Sequence, residues 1–189
     1  MASVVWSLGQ SVKCGGMRRL RVVKRTVHHM DMASLVAVNR EVVQQTSEPN
    51  EFSKADGKQL ELLLRDVESR ADNQEFEQAI PEKASLLVYK LASGQHFKAG
   101  NKRTALVAGL VFLLKNGYKI GIDDHRFVSV VDRAGMAGAS LDDVYDVMQS
   151  QIAKTKAERK AWEGIVKQTV ATYGKFLKRI GSEQDDSQK

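Results

Sequence analysis

Between Met32 and Gln45 the apolar positions Leu35, Val36, Val38, Val42 and Val43 recur at helical spacing, and Asp31 stands where an N-cap is needed. The spacing predicts a first helix there. Residues 46–56 (TSEPNEFSKAD) are rich in turn formers, and a second helix is predicted from Gly57 to Arg70 through Leu60, Leu62, Leu63, Leu64 and Val67. Ala71 to Ile80 is polar and poorly periodic, whereas Pro81 suits the first turn of a third helix that passes through Leu86, Leu87, Tyr89 and Leu91 and ends near Gly94. Thr104 to Lys115 is apolar around most of its circumference and is closed by Asn116-Gly117, which predicts a helix at the centre of a bundle. Tyr118 to Ile122 reads as a short extended piece, and Asp123 and Asp124 can cap a helix carrying Phe127, Val128, Val130 and Val131. Leu141 to Phe176 reads as one or two helices around a charged middle, AKTKAERK, followed by a polar tail, GSEQDDSQK. The fold class expected is mostly α, a compact single-domain helical bundle. Besides the extended piece at Tyr118 to Ile122, the β-structure open to the chain is a short N-terminal strand, where Arg21 to Val27 alternates, or a flap hairpin.

Composition narrows the function classes. A chain of 189 residues with 42% hydrophobic and 28% charged positions suits one globular domain. The richest apolar run, Ala105 to Leu114, is bounded by Arg103 and Lys115 and is too short to span a bilayer, so no membrane partner is expected. A single cysteine, Cys14, can form neither an internal disulfide nor a cysteine cluster for zinc, and a reducing, cytoplasmic setting fits it. The net charge of +6 resides in residues 1–30, which hold Lys13, Arg18, Arg19, Arg21, Lys24 and Arg25 and no acid; residues 31–189 carry 23 basic and 23 acidic residues. Charge alone therefore gives no case for nucleic acid on the folded domain. The acid-free leader has the composition of a transit peptide, which would make the location organellar; the bland alternative is a ragged N-terminus, with Met17, Met30 and Met32 as further candidate starts.

Chemistry concentrates in one loop, Gly94-Gln95-His96-Phe97-Lys98-Ala99-Gly100-Asn101-Lys102-Arg103-Thr104, between two strong helical patterns. A glycine and an asparagine at a helix start let successive N–H groups converge on an anion, the helix dipole favours negative charge there, and Lys102 and Arg103 add positive charge. This predicts a phosphate cradle, against the bland alternative of an ordinary basic helix N-terminus. A nucleotide loop of the Walker type is excluded, because Gly94 and Gly100 have five residues between them and Asn-Lys-Arg follows Gly100.

The string resembles the signature of the Fic/Doc (Fido) family, H-x-F-x-[D/E]-[G/A]-N-[K/x]-R followed by a helix reading TAL…FL…NGY, and looks closer to the short Doc-like branch. Phe97, Gly100, Asn101, Lys102, Arg103, Thr104, Ala105, Leu106, Phe112, Leu113, Asn116, Gly117 and Tyr118 fall in register. The resemblance implies a helical fold whose central helix follows the loop, and transfer of AMP or phosphate from a nucleotide to a protein hydroxyl, with ATP or another nucleotide as cofactor. It places phosphate binding on Gly100, Asn101, Lys102 and Arg103, and implies a protein target or an antitoxin as partner. The catalytic half does not carry over. Gln95 occupies the histidine position and Ala99 the acidic one, so the general base and the Mg²⁺ ligand are both replaced, which puts Mg²⁺ in doubt. His96, one residue on, is the candidate substitute base, although neighbouring side chains in an extended loop point in different directions; Phe97 reads as a core anchor of the loop. The function expected is a catalytically degenerate Fic/Doc-like protein that keeps a phosphate-binding or nucleotide-binding loop for a binding or regulatory role. The alternative is an active transferase using His96 or another base.

Three further features carry less. His28-His29 near Asp31 and Asp123-Asp124-His125 read as turns or caps rather than metal ligands. Ser47 to Glu51 only partly echoes the family's self-inhibition motif, with Phe52 where Gly or Asn is expected. Gln74-Glu75-Phe76-Glu77-Gln78 could act as a strand edge that docks a target, or as a plain exposed loop. The organisation expected is a basic extension at 1–30, the Fic/Doc-like domain at 31–150, a C-terminal helical extension at 151–180 and a tail at 181–189. The sequence assigns no oligomeric state.

Overall fold

The computed structural model describes residues 25–46, 54–120, 125–178 and 180. Most of the basic leader, the Ser47 to Glu51 echo, the Asp123 and Asp124 cap and the tail at 181–189 lie outside the described residues. The described chain is mostly helical: α1 (Met32–Thr46), α2 (Lys54–Ser69), α3 (Phe76–Ser93), α4 (Asn101–Lys115), β1 (Tyr118–Ile120), α5 (His125–Ala134), α6 (Leu141–Gln151), β2 (Ile152–Lys154) and α7 (Trp162–Leu177).

Local chemistry sets several boundaries. Asp31 caps α1 by accepting the Ser34 N–H at 2.8 Å, and the bonds from Ser34 hold its carboxyl below the usual range. Ser140 and Asp143 form a reciprocal capping box at the start of α6. Gly117, at φ +83°, turns the chain out of α4 into β1. The side chain of Asn116 accepts from the His28 N–H at 2.8 Å and donates to the His28 carbonyl at 3.1 Å, tying the segment before α1 to the end of α4.

Helix α4 is buried continuously from Arg103 to Leu113 and lies against α1, α3, α5, α7 and β1. An apolar circumference can be satisfied only in this central place. Phe112 is fully buried, and burial of such a side chain contributes about 1.5–3 kcal/mol. Helix α7 packs on α1 and α4 and sends Ile165, Val166 and Val170 into the same core.

Four expectations need correction. Helix α3 starts at Phe76, so Pro81 is inside it; the missing N–H removes one bond, and the ten buried neighbours from Ala79 to Ala92 hold the helix together regardless. The candidate strand edge at Gln74 to Gln78 is therefore a turn followed by the first turn of α3, with Ala71 at φ +59° and Glu82 accepting from Arg70 and Gln74 at 2.8 and 2.9 Å. Residues 25–27 form no strand, and the rest of the Arg21 to Val27 segment lies outside the described residues; the described β-structure falls on the expected extended piece at Tyr118 and pairs it antiparallel with β2, Tyr118 opposite Lys154, Lys119 opposite Ala153 and Ile120 opposite Ile152. Helix α4 begins three residues earlier than Thr104, which makes Asn101, Lys102 and Arg103 its first turn.

Candidate functional site

The loop from Gly94 to Gly100 connects the end of α3 to the start of α4. Its route is fixed by one side chain, Asn101: Oδ1 accepts the His96 N–H at 3.1 Å and the Phe97 N–H at 2.9 Å, while Nδ2 donates to the Phe97 carbonyl at 2.7 Å. Phe97 anchors the loop from the other side, buried in the core. Gly100 takes the left-handed conformation, φ +73° and ψ 20°, immediately before the helix. The first intrahelical bond runs from Thr104 N–H to Gly100 O at 2.8 Å, so the N–H groups of Asn101, Lys102 and Arg103 belong to the turn that has no earlier helical carbonyl to meet.

A second asparagine, Asn39 on α1, completes the frame. Its Nδ2 donates to the Ala99 carbonyl at 3.1 Å and to Thr104 Oγ1 at 3.0 Å, and the residue is buried. The sequence reading missed it. The signal was present, since Asn39 lies four residues after Leu35 and next to Val38, a polar residue within the apolar stripe of α1.

These elements enclose a cavity of about 270 Å³ lined by Ala92, Ser93, Gly94 and Gln95 from the end of α3, Gly100 to Arg103 from the start of α4, Gly135 after α5, and Ile180 after α7. Among the described residues, no carboxylate lines the cavity. Gln95, in the position where the family resemblance expects histidine, is exposed at the cavity, and Ala99 offers a methyl group where that resemblance expects an acid. A hard divalent cation needs oxygen ligands, usually carboxylates, and this lining does not fit one; among the described residues no group of three or more His, Cys, Asp or Glu converges.

The other charged groups are engaged. Lys102 reaches across to Asp132 on α5, Nζ to Oδ1 at 2.8 Å, with its stem against Gly135; a Cβ on Gly135 would come within 2.5 Å of it. Arg103 is buried, and its Nε–H donates to the Ile180 carbonyl at 2.6 Å. The C-terminal turn thus meets the first turn of α4.

His96 does not line the cavity. Its Nε2 lies 3.1 Å from the Lys90 carbonyl, which can only accept, so Nε2 carries the proton; Nδ1 is buried with no hydrogen-bond partner. The same carbonyl accepts the Gly94 N–H at 3.0 Å, so the imidazole and Gly94 together close the end of α3. Gly94 is required for this approach: a Cβ there would stand 2.2 Å from His96 Nε2.

No curated protein and no solved structure matches the chain. The model of the Fic/DOC family matches residues 29–113, from the segment before α1 through the cavity-lining loop and nearly all of α4, so this part of the chain is similar to the Fic/DOC family.

Proposed function

We propose that the chain is a catalytically degenerate Fic/Doc-like protein of the Doc-like branch, which binds the phosphates of ATP or another nucleotide at the start of α4 and serves a binding or regulatory role. The observation that carries this is the cavity itself, with a left-handed Gly100, the first-turn N–H groups of a central helix and the Lys102 and Arg103 cations at one end, and no carboxylate among the described residues of its lining. Gly100 and the helix N–H groups would face the phosphate oxygens. Lys102 would supply positive field from its pair with Asp132, and Arg103 would add the charge of its guanidinium beside Ile180. Asn101 would act by shaping the loop. The volume, about 270 Å³, is slightly below the range of roughly 300–1,000 Å³ typical of small-molecule sites, which suits the phosphate end of a nucleotide with the base outside.

Transfer chemistry has less support. A neutral amide at Gln95 takes no proton at pH 7, and His96 faces the Lys90 carbonyl rather than the cavity. Loss of a general base alone costs about 10²–10⁴ in rate. Calorimetric titration of wild type and Arg103→Ala with ATP tests the proposal. Binding that weakens strongly in the variant supports it, and equal binding by both places the cradle elsewhere.

A further inference from the structure

The balance of 23 basic and 23 acidic residues over 31–189 conceals a strong local asymmetry at the far end of α4, about 22 Å from the cavity by helical rise. Three bonds tie the connection between β2 and α7 around that end: Thr155 N–H to the Gly117 carbonyl at 2.8 Å, Glu158 N–H to the Leu114 carbonyl at 3.0 Å, and Lys115 Nζ to the Lys160 carbonyl at 2.6 Å. Together with β1, paired to β2, this brings Lys115, Lys119, Lys154, Lys156, Arg159 and Lys160 to one region, and residues 115–119 and 152–160 contain a single carboxylate, Glu158. All but Lys115 of these cations are exposed. Beside them Glu77 is shared between Lys154 and Arg25, at 3.7 Å from each, so the carboxylate is outnumbered there too, and Glu163 begins α7 beyond the cluster.

Arg25 adds a second, independent observation. It is the point at which the leader joins the fold, and residues 1–30 hold six cations and no acid. An acid-free basic stretch of sequence leading into a basic face gives the charge distribution of a polyanion-binding surface. Two features distinguish between polyanions. Binding to a lipid surface usually requires apolar side chains to insert, but the exposed large hydrophobic residues among those described are Leu62 on α2 and Met136 after α5, neither of them in β1, β2 or residues 155–160. The aromatic rings at this face are Tyr118 of β1, which is buried, Phe76, which is partly buried and stacked on it beneath Arg25, and Trp162, which is partly buried with Lys115 Nζ 5.7 Å from its centroid, so none is an exposed platform for stacking bases.

We infer that the face formed by β1, β2 and residues 155–160 binds nucleic acid through its backbone phosphates, without reading sequence. The cations there are separate from the α4 N-terminus, so the site is independent of any nucleotide held in the cavity. The test uses the full chain and a fluorescently labelled 20-base-pair duplex of arbitrary sequence, with anisotropy measured from 50 to 200 mM salt. Lys119→Glu/Lys156→Glu/Arg159→Glu reverses three exposed cations, and Lys119→Gln/Lys156→Gln/Arg159→Gln neutralises the same three as a milder second variant. Wild type is expected to bind equally to unrelated sequences, with affinity falling steeply as salt rises. The charge reversal should weaken binding at least about tenfold and flatten the logarithmic salt slope by about two to three, near 0.9 for each phosphate that is no longer neutralised. Absence of duplex binding by wild type, equal affinity and slope in both variants, or binding to anionic lipid vesicles without binding to duplex would each overturn the proposal.

Discussion

Replacing Asn101 with alanine tests whether the loop is shaped from within or only by its ligand. The change deletes the acceptor that holds His96 N–H and Phe97 N–H at 3.1 and 2.9 Å, and the donor that holds the Phe97 carbonyl at 2.7 Å. Such bonds contribute about 0.5–1.5 kcal/mol each, and three would give about 1.5–4.5 kcal/mol. The groups are only partly buried, so water replaces some of the loss, and the expected destabilisation is about 2 kcal/mol. For a chain of this size that lowers Tm by about 4–8 °C. Asn101→Asp is the informative companion. A carboxylate still accepts from both N–H groups and is favourable at a helix N-terminus, but it cannot donate to the Phe97 carbonyl, so about half of the stability should return. Thermal and urea unfolding measure both variants. An alanine variant with wild-type stability that has lost ATP affinity would refute the reasoning, because Asn101 would then be a ligand contact rather than the organiser of the loop.

Gly94→Ala should displace the His96 ring from the Lys90 carbonyl, since the new Cβ would stand 2.2 Å from Nε2; NMR of the imidazole would show loss of the fixed Nε2–H tautomer, and an unchanged spectrum would contradict the geometry. Asp132→Asn releases Lys102 from its 2.8 Å ion pair and leaves the start of α4 more positive, so ATP should bind about two- to fivefold more tightly by calorimetry, the effect of about 0.3–1 kcal/mol expected for a charge at a helix end; unchanged affinity would remove Lys102 from the ligand's field. Burial, and then the Lys83 charge, hold His29 below its ordinary value of 6.5. The unfolded chain therefore takes up a proton at higher pH than the folded one, so the stability this group contributes is present above pH 6.5 and is lost as pH falls through that value towards the lower folded one. Denaturation across pH 5–8 should show that loss in wild type, and His29→Asn should reduce it.

The central helix was the most legible part of the fold. The apolar circumference of Ala105 to Leu114 admits only a buried position, and Asn116-Gly117 marks its end through a buried amide and a positive φ. Its beginning was misread, because Gly100-Asn101-Lys102-Arg103 looks like loop by composition. The helix starts there because the Asn101 side chain turns back to satisfy the loop before it. Pro81 misled in the same way: a proline usually marks a first turn, but here tertiary burial on both sides of it outweighs one lost bond. The candidate site was legible as a string of residue types. The partners that set what each residue can do, Asp132 for Lys102, Ile180 for Arg103 and Lys90 for His96, could not be read from spacing, since two of the three come from distant helices or turns. The basic face was hidden by its cancellation against acids elsewhere in the chain.

The most direct test of the central claim is labelling of protein by radiolabelled ATP, comparing wild type with Gln95→His/Ala99→Asp in the presence of Mg²⁺ and lysate proteins. If the phosphate-binding half is intact and only a base and a hard-cation ligand are missing, wild type should transfer little or no label, and the double variant should gain far more than either single change, because a base is of little use without a correctly held nucleotide. Robust transfer by wild type that disappears in His96→Ala would contradict the account and show an active enzyme. No gain in a double variant that is folded and still binds ATP would contradict it as well, since the loop would then lack the geometry that two restored groups need.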